Sequence, residues 1–189
     1  MRHFKTMSFE LHELFSGTLK LYQPKHGYRF SIDSILLADF AGPKVHGMVA
    51  DLGAGSGIVS LLLVRNPKVT RIVAFEIQHE LAALAKKNIV LNHCNDKVTV
   101  EHGDIRHIRK KCPAGSCDAV VTNPPFFAVG TGRINPHTQK ASARHEMHGA
   151  LHDFLTAAAY LLKTGGSLFI VYNADRAVDL LTGMRGAKI

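Results

Sequence analysis

The chain has 189 residues, the length of one domain, and its 46% hydrophobic and 20% charged residues exclude a disordered or collagen-like chain. Lysine and arginine number 23 against 15 for aspartate and glutamate, a formal charge of +8. That balance favours a polyanionic partner through Coulomb attraction and counterion release, with plain solubility as the alternative. No apolar run approaches the roughly 18 residues of a membrane span, and the first residues lack the apolar stretch and cleavage site of a signal peptide. Cys94, Cys112 and Cys117 cannot all pair and read as buried or half-buried thiols. These features predict a cytoplasmic domain with no membrane partner.

An extension, residues 1–44, precedes a domain over residues 45–189. Its segment QPKHGYRF (23–30) reads as irregular, aromatic and basic. SIDSILLADF (31–40) reads as a helix, capped by Ser31 and ended by Gly42-Pro43. Residues 45–52 end in MVADL and predict a strand entering a glycine turn. Residues 58–64 predict a buried helix, stopped near Asn66-Pro67 because proline cannot continue it. RIVAFEI (71–77) is a second strand. Leu81, Leu84, Ala85 and Ile89 then recur on one helical face, joined by Asn92, with Lys86, Lys87 and Asn88 opposite. KVTVE (97–101) alternates as a third strand, and AVVT (119–122) is the core of a fourth. Residues 151–162 predict another helix, and SLFIVY (167–172) a fifth strand after the turn Thr164-Gly165-Gly166. This alternation predicts an α/β fold, a mostly parallel sheet with helices on both faces, whose ligands bind at the carboxyl ends of the strands.

The first of these strands runs into Asp51-Leu52-Gly53-Ala54-Gly55-Ser56-Gly57, spaced G-x-G-x-G rather than as the dinucleotide fingerprint. Glycines there permit a tight turn and let a ligand approach the backbone. Glu76 closes the second strand, where an acidic side chain can accept both hydroxyls of a ribose. Asp104 follows the third, where a carboxylate could receive an adenine amino group. Read singly, Glu76 is a strand-end surface charge and Asp104 a turn former. At the ends of three successive strands they predict a nucleoside cofactor.

The fourth strand ends in Asn123-Pro124-Pro125-Phe126. The prolines fix the backbone and remove two N–H donors, so the Asn123 amide oxygen and the Pro124 carbonyl can face one spot as acceptors. Phe126 offers a flat surface for a planar group. That arrangement suits an amine conjugated to a ring or carbonyl. Accepting its N–H bonds frees the nitrogen lone pair for methyl transfer without a separate strong base. The plain alternative is a proline-bent turn.

DLGAGSG, Glu76, GDI (103–105) and NPPF (123–126), in this order, resemble the S-adenosylmethionine-dependent amino-methyltransferases over about residues 45–172. More narrowly, QPKHGYRFSIDSILLADF (23–40) and ARHE (143–146) resemble the bacterial tRNA1(Val) adenine-N6 methyltransferases. The resemblance implies a Rossmann-like class I methyltransferase fold, here short of the two strands that form the antiparallel end of the family's sheet. It implies S-adenosyl-L-methionine as cofactor, with Asp51, Gly53, Gly55 and Gly57 around its methionine end, Glu76 on the ribose and Asp104 near the adenine. Arg29 is a further cofactor contact by the same resemblance, in an upstream segment with Tyr28, Phe30 and Asp33. Asn123 to Phe126 would hold the target base, and tRNA is the implied partner, through the adenosine next to the anticodon of a valine tRNA. Compared members often carry tyrosine where Phe126 stands, and phenylalanine is common in relatives acting on guanine N2; guanine N2 in ribosomal RNA, or a protein glutamine amide, is the alternative acceptor. A non-catalytic RNA-binding module is the alternative from another class.

Residues 128–143 form a long connection with Arg133 and Lys140, read as a substrate loop ordered by RNA or as plain disorder, and Arg144 opens the next helix as a further RNA contact. The run Arg106, His107, Arg109, Lys110 and Lys111 reads as a solvated face or as a phosphate contact. His93 beside Cys94, and His145 near His148, lack a third and fourth ligand, so no metal is expected.

Overall fold

The structure, a computed structural model, describes residues 8–26, 29–124 and 151–189. It opens with an antiparallel hairpin, β1 (Phe9–Leu14) and β2 (Leu19–Pro24), which pairs Phe9 with Pro24 and Leu14 with Leu19. Residues 23 and 24, in the segment expected to be irregular, belong to β2, and the hairpin itself is not announced by the sequence pattern. The turn explains why: it carries no Asn-Gly or Asp-Gly signal, and Phe15, Ser16 and Gly17 adopt left-handed φ values of 51°, 55° and 81°.

After it come α1 (Ile32–Ala41), β3 (Gly47–Leu52), α2 (Ile58–Leu63), β4 (Val69–Glu76), α3 (His79–Leu91) and β5 (Val98–His102). A 3-10 turn (Ile105–Lys110), β6 (Cys117–Thr122), α4 (Leu151–Leu161), β7 (Leu162–Ile170) and α5 (Ala177–Ala187) complete the order. The last five strands form one sheet, ordered β5-β4-β3-β6-β7 and parallel throughout. The predicted strands and helices stand within a few residues of their expected places. β7 departs most: it starts at Leu162, opposite Cys117, and its register then jumps so that Ser167 faces Ala119. The predicted turn at 164–166 is therefore an irregularity inside the strand's range, with Gly165 at a φ of 78°.

Successive side chains of each strand leave on opposite faces, and both faces are covered. Val49, Ile72, Ala74, Val98, Val121 and Phe169 pack in one core with residues of α1, α2 and α3. Ala50, Leu52, Val73, Phe75 and Val120 pack in the other with Ile108, Phe154, Ala158 and Leu161. Burial on both sides is why these strands read as unbroken apolar runs. No helix among the described residues is long and apolar enough to cross a membrane. Cys112 and Cys117 are buried, Cys94 is half-buried, and all three are thiols.

Two local expectations are corrected. Ser31 occupies the N-cap position of α1 with extended backbone, but its hydroxyl donates to Asp33 Oδ2 at 2.9 Å and makes no cap bond. Asn88, expected opposite the buried face of α3, is fully buried because β2 lies against it. Its Oδ1 accepts the Tyr22 N–H at 2.8 Å, and its Nδ2 donates to the Tyr22 carbonyl at 3.0 Å. One helical turn on, Asn92 accepts the Lys20 N–H at 3.0 Å and donates to the Lys20 carbonyl at 2.6 Å. The two amides satisfy backbone groups on the edge of β2 that a neighbouring strand would otherwise pair.

Candidate active site

The carboxyl ends of β3, β4, β5 and β6 carry Asp51 with the glycine turn, Glu76, Asp104 and Asn123. β3 runs into the glycine turn, where Gly53, Gly55 and Gly57 hold φ values of 76°, 57° and 84°. The N–H groups of Gly53 and Ala54 both donate to the Phe75 carbonyl at 2.9 Å, folding the turn over the end of β4. A Cβ on Gly57 would stand 3.3 Å from that of Ala85, so α3 packs as closely as a glycine permits.

Glu76 is 5% exposed and tied to this turn. Its Oε2 accepts the Gly55 N–H and its Oε1 the Gln78 N–H, each at 2.8 Å. Burial pushes its carboxyl up, while the Gln78, Gly55 and Ile77 amides oppose that rise. An ionised carboxylate offers about four lone-pair sites, so acceptor capacity remains beyond these amides. His102 follows it on β5, paired in register with Glu76, with Nε2 3.1 Å from the Ile77 carbonyl.

Asp51 is buried beneath the turn, where its Oδ2 accepts the Ser60 hydroxyl at 2.6 Å. Burial raises its pKa from 3.8 to about 6, against the pull of the Ser60 hydrogen bond. Sequence reasoning missed Ser60, although a lone serine inside the apolar helix IVSLLL was the available signal.

Asp104 is less open than its sequence role implied. Its Oδ1 accepts the Arg106 N–H at 2.9 Å, and both oxygens meet the Arg106 guanidinium. These bonds hold its carboxyl below the usual range against the desolvation that raises it. A base amino group there would share an engaged carboxylate. Other members of the basic run are also committed: Lys111 pairs with Glu101 at 2.9 Å, and Arg109 lies 4.8 Å from the Tyr160 ring centre.

The end of β6 is clamped between its neighbours. The Thr122 hydroxyl donates to the Leu52 carbonyl at 2.8 Å, and the Val171 N–H to the Thr122 carbonyl at 3.2 Å. Asn123 follows, half-buried, and then Pro124, buried. The Asn123 Nδ2 donates to Ser34 Oγ in α1 at 3.3 Å. Arg29 stands on the hairpin, donating to His12 Nε2 at 2.9 Å with Glu10 at 3.9 Å. Tyr28, Pro125, Phe126, Arg133, Lys140 and Arg144 lie outside the described residues.

The sequence profile of the methyltransferase small domain family matches residues 30–184. The chain belongs to this family. A relative from Porphyromonas gingivalis (strain ATCC BAA-308 / W83), named tRNA1(Val) (adenine(37)-N6)-methyltransferase, is 30% identical over 158 residues, 80% of this chain and 61% of its own length. One of the same name from Aeromonas hydrophila is 30% identical over 168 residues, 87% of this chain and 69% of its own. The chain thus spans 61% and 69% of the length of these two curated relatives. Among solved structures, a predicted O-methyltransferase from Agrobacterium tumefaciens superposes with a TM-score of 0.61 at 20% identity, covering 80% of this chain and 66% of that one. At that identity the likeness establishes the fold, a Rossmann-like methyltransferase sheet.

Proposed function

We propose that this chain methylates the exocyclic N6 amine of an adenosine in tRNA, with S-adenosyl-L-methionine as donor, in the cytoplasm. The observation that carries this reading is the placing of Glu76 and Asn123 at the ends of β4 and β6, the strands flanking β3 and its glycine turn. The residues fit a nucleoside-bearing donor. Glu76 has lone pairs left for ribose hydroxyls, and the turn presents glycine backbone rather than side chains. The Ser56 hydroxyl, buried without a hydrogen-bond partner among the described residues, is a polar group that a bound ligand would satisfy. Asp51, Arg29 and Asp104 complete the proposed cofactor set, and Arg133, Lys140 and Arg144 the RNA contacts.

S-adenosylmethionine, when bound, supplies an electrophilic sulfonium methyl. Asn123 and the Pro124 carbonyl accept the N–H bonds of the target amine and hold its lone pair in line, so orientation supplies much of the rate. The proton leaves once the nitrogen is cationic, and the strand ends need no strong base. The base must leave its stack to reach the site, which costs least in a loop. The +8 charge and the names of the two relatives support tRNA as the acceptor.

The test is transfer of labelled methyl from S-adenosylmethionine into total tRNA, followed by nucleoside analysis. N6-methyladenosine is the expected product. Label in N2-methylguanosine, or none in tRNA, would overturn the assignment. Asn123→Ala is expected to bind S-adenosylhomocysteine normally while turnover falls by about a hundredfold or more, and equal loss of both would refute the division of roles.

A further inference from the structure

The buried face of α1 is formed by Ser34, Leu37, Ala38 and Ala41, and Ser34 is its one polar member. At 3% exposure its hydroxyl is out of water, and an alanine would fill the same place in the packing at no desolvation cost. What distinguishes the serine is its bond across 89 residues of sequence: Ser34 Oγ accepts the Asn123 Nδ2 at 3.3 Å.

Asn123 needs such a partner. Its backbone is fixed by the Thr122 clamp and by Pro124, but the terminal amide torsion of asparagine is broad and roughly two-fold. Backbone rigidity alone therefore does not decide which end of the amide meets the base. With nitrogen outward, two donors would confront each other and the amine would lose its acceptor. The Ser34 hydroxyl, fixed on a helix, holds the plane of that amide, and in the observed state it accepts from Nδ2 and leaves Oδ1 for the amine. α1 suits the task because it packs on α2 and reaches both β6 and β7, where Phe40 meets Phe169 edge-on at 6.2 Å.

We propose that Ser34 is a positioning residue that anchors the Asn123 side chain in the conformation whose carbonyl oxygen is left for the target amine. The inference rests on the role given to Asn123 above, and it assigns to the upstream helix a part in the chemistry as well as in the packing.

The experiment compares Ser34→Ala, Ser34→Thr, Asn123→Ala and the double Ser34→Ala/Asn123→Ala in the full chain. It reads kcat and KM on tRNA, S-adenosylhomocysteine affinity, and the Asn123 side-chain amide signals by NMR. Ser34→Ala is expected to lower kcat about tenfold with KM and cofactor-product affinity little changed, and to shift the Asn123 NH2 signals. The double variant should be no slower than Asn123→Ala, because the serine acts only through that amide. Ser34→Thr, which keeps the hydroxyl, should restore most of kcat; Ser34→Cys takes its place if threonine is too large for the site. Wild-type kcat in Ser34→Ala beside a crippled Asn123→Ala would overturn this inference alone, as would independent, multiplying losses in the double variant. Full activity in Asn123→Ala would instead overturn the proposed function.

Discussion

Asp51 is the residue whose charge the fold opposes most plainly. Its pKa lies near its ordinary 3.8 in the unfolded chain and at about 6 in the folded one, raised by burial. The folded state therefore holds the proton more tightly. On account of this group, stability falls as pH rises from 3.8 to about 6, and above that window the full cost stands, on the order of 3 kcal/mol. Asp51→Asn keeps a partner for Ser60 and cannot ionise. It is expected to raise the urea midpoint at pH 8, with the gain shrinking toward pH 4. A variant that tracks the parent at every pH would refute the assignment. Asp104 runs the other way: its lowered carboxyl contributes stability above the ordinary carboxylate range, and that contribution is lost as pH falls.

Between elements, the junction of β2 with α3 is held by polar groups rather than by apolar area alone. Asn88 satisfies both backbone groups of Tyr22, and its Nδ2 also donates to the Ser56 carbonyl at 3.0 Å, which ties the hairpin to the glycine turn. Asn88→Leu would strand these buried groups. It is expected to cost about 2–4 kcal/mol in denaturant unfolding and to speed amide exchange at Tyr22 and along the turn. Asn92→Ala should cost less, since the Asn92–Lys20 bonds are exposed to water. Equal exchange rates in parent and Asn88→Leu would show that the hairpin is held by other contacts.

For the molecule as a whole, charge and topology act together. The net +8 predicts that the proposed tRNA binding releases counterions, while Arg106, Lys111 and Lys163 are already paired with Asp104, Glu101 and Asp118. Raising salt from about 50 to about 200 mM is expected to weaken tRNA binding by about tenfold or more and to leave S-adenosylhomocysteine affinity nearly unchanged. A salt-independent tRNA affinity would argue against the polyanionic partner. The sheet order sets the geometry behind this: β3 at the centre brings the glycine turn between the ends of β4 and β6, residues separated by tens of positions in the chain.

The parallel core was legible from residues alone because strands buried on both faces print as apolar runs, as in MVADL and RIVAFEI, and turns carry local signatures, as in GAGSG. The carboxyl-edge set of Asp51, Glu76, Asp104 and Asn123 followed from that reading. Asn88, the Asp51–Ser60 bond, the Arg106 grip on Asp104 and the Ser34–Asn123 contact did not. Periodicity reports that a position has a covered side; it does not report what covers it. In the run Lys86-Lys87-Asn88 all three residues look solvent-facing, and only β2, paired 66 residues away, makes Asn88 a buried crosslink. Which polar groups meet is decided by where the chain returns in space, because a hydrogen bond depends on distance and angle that no local pattern encodes.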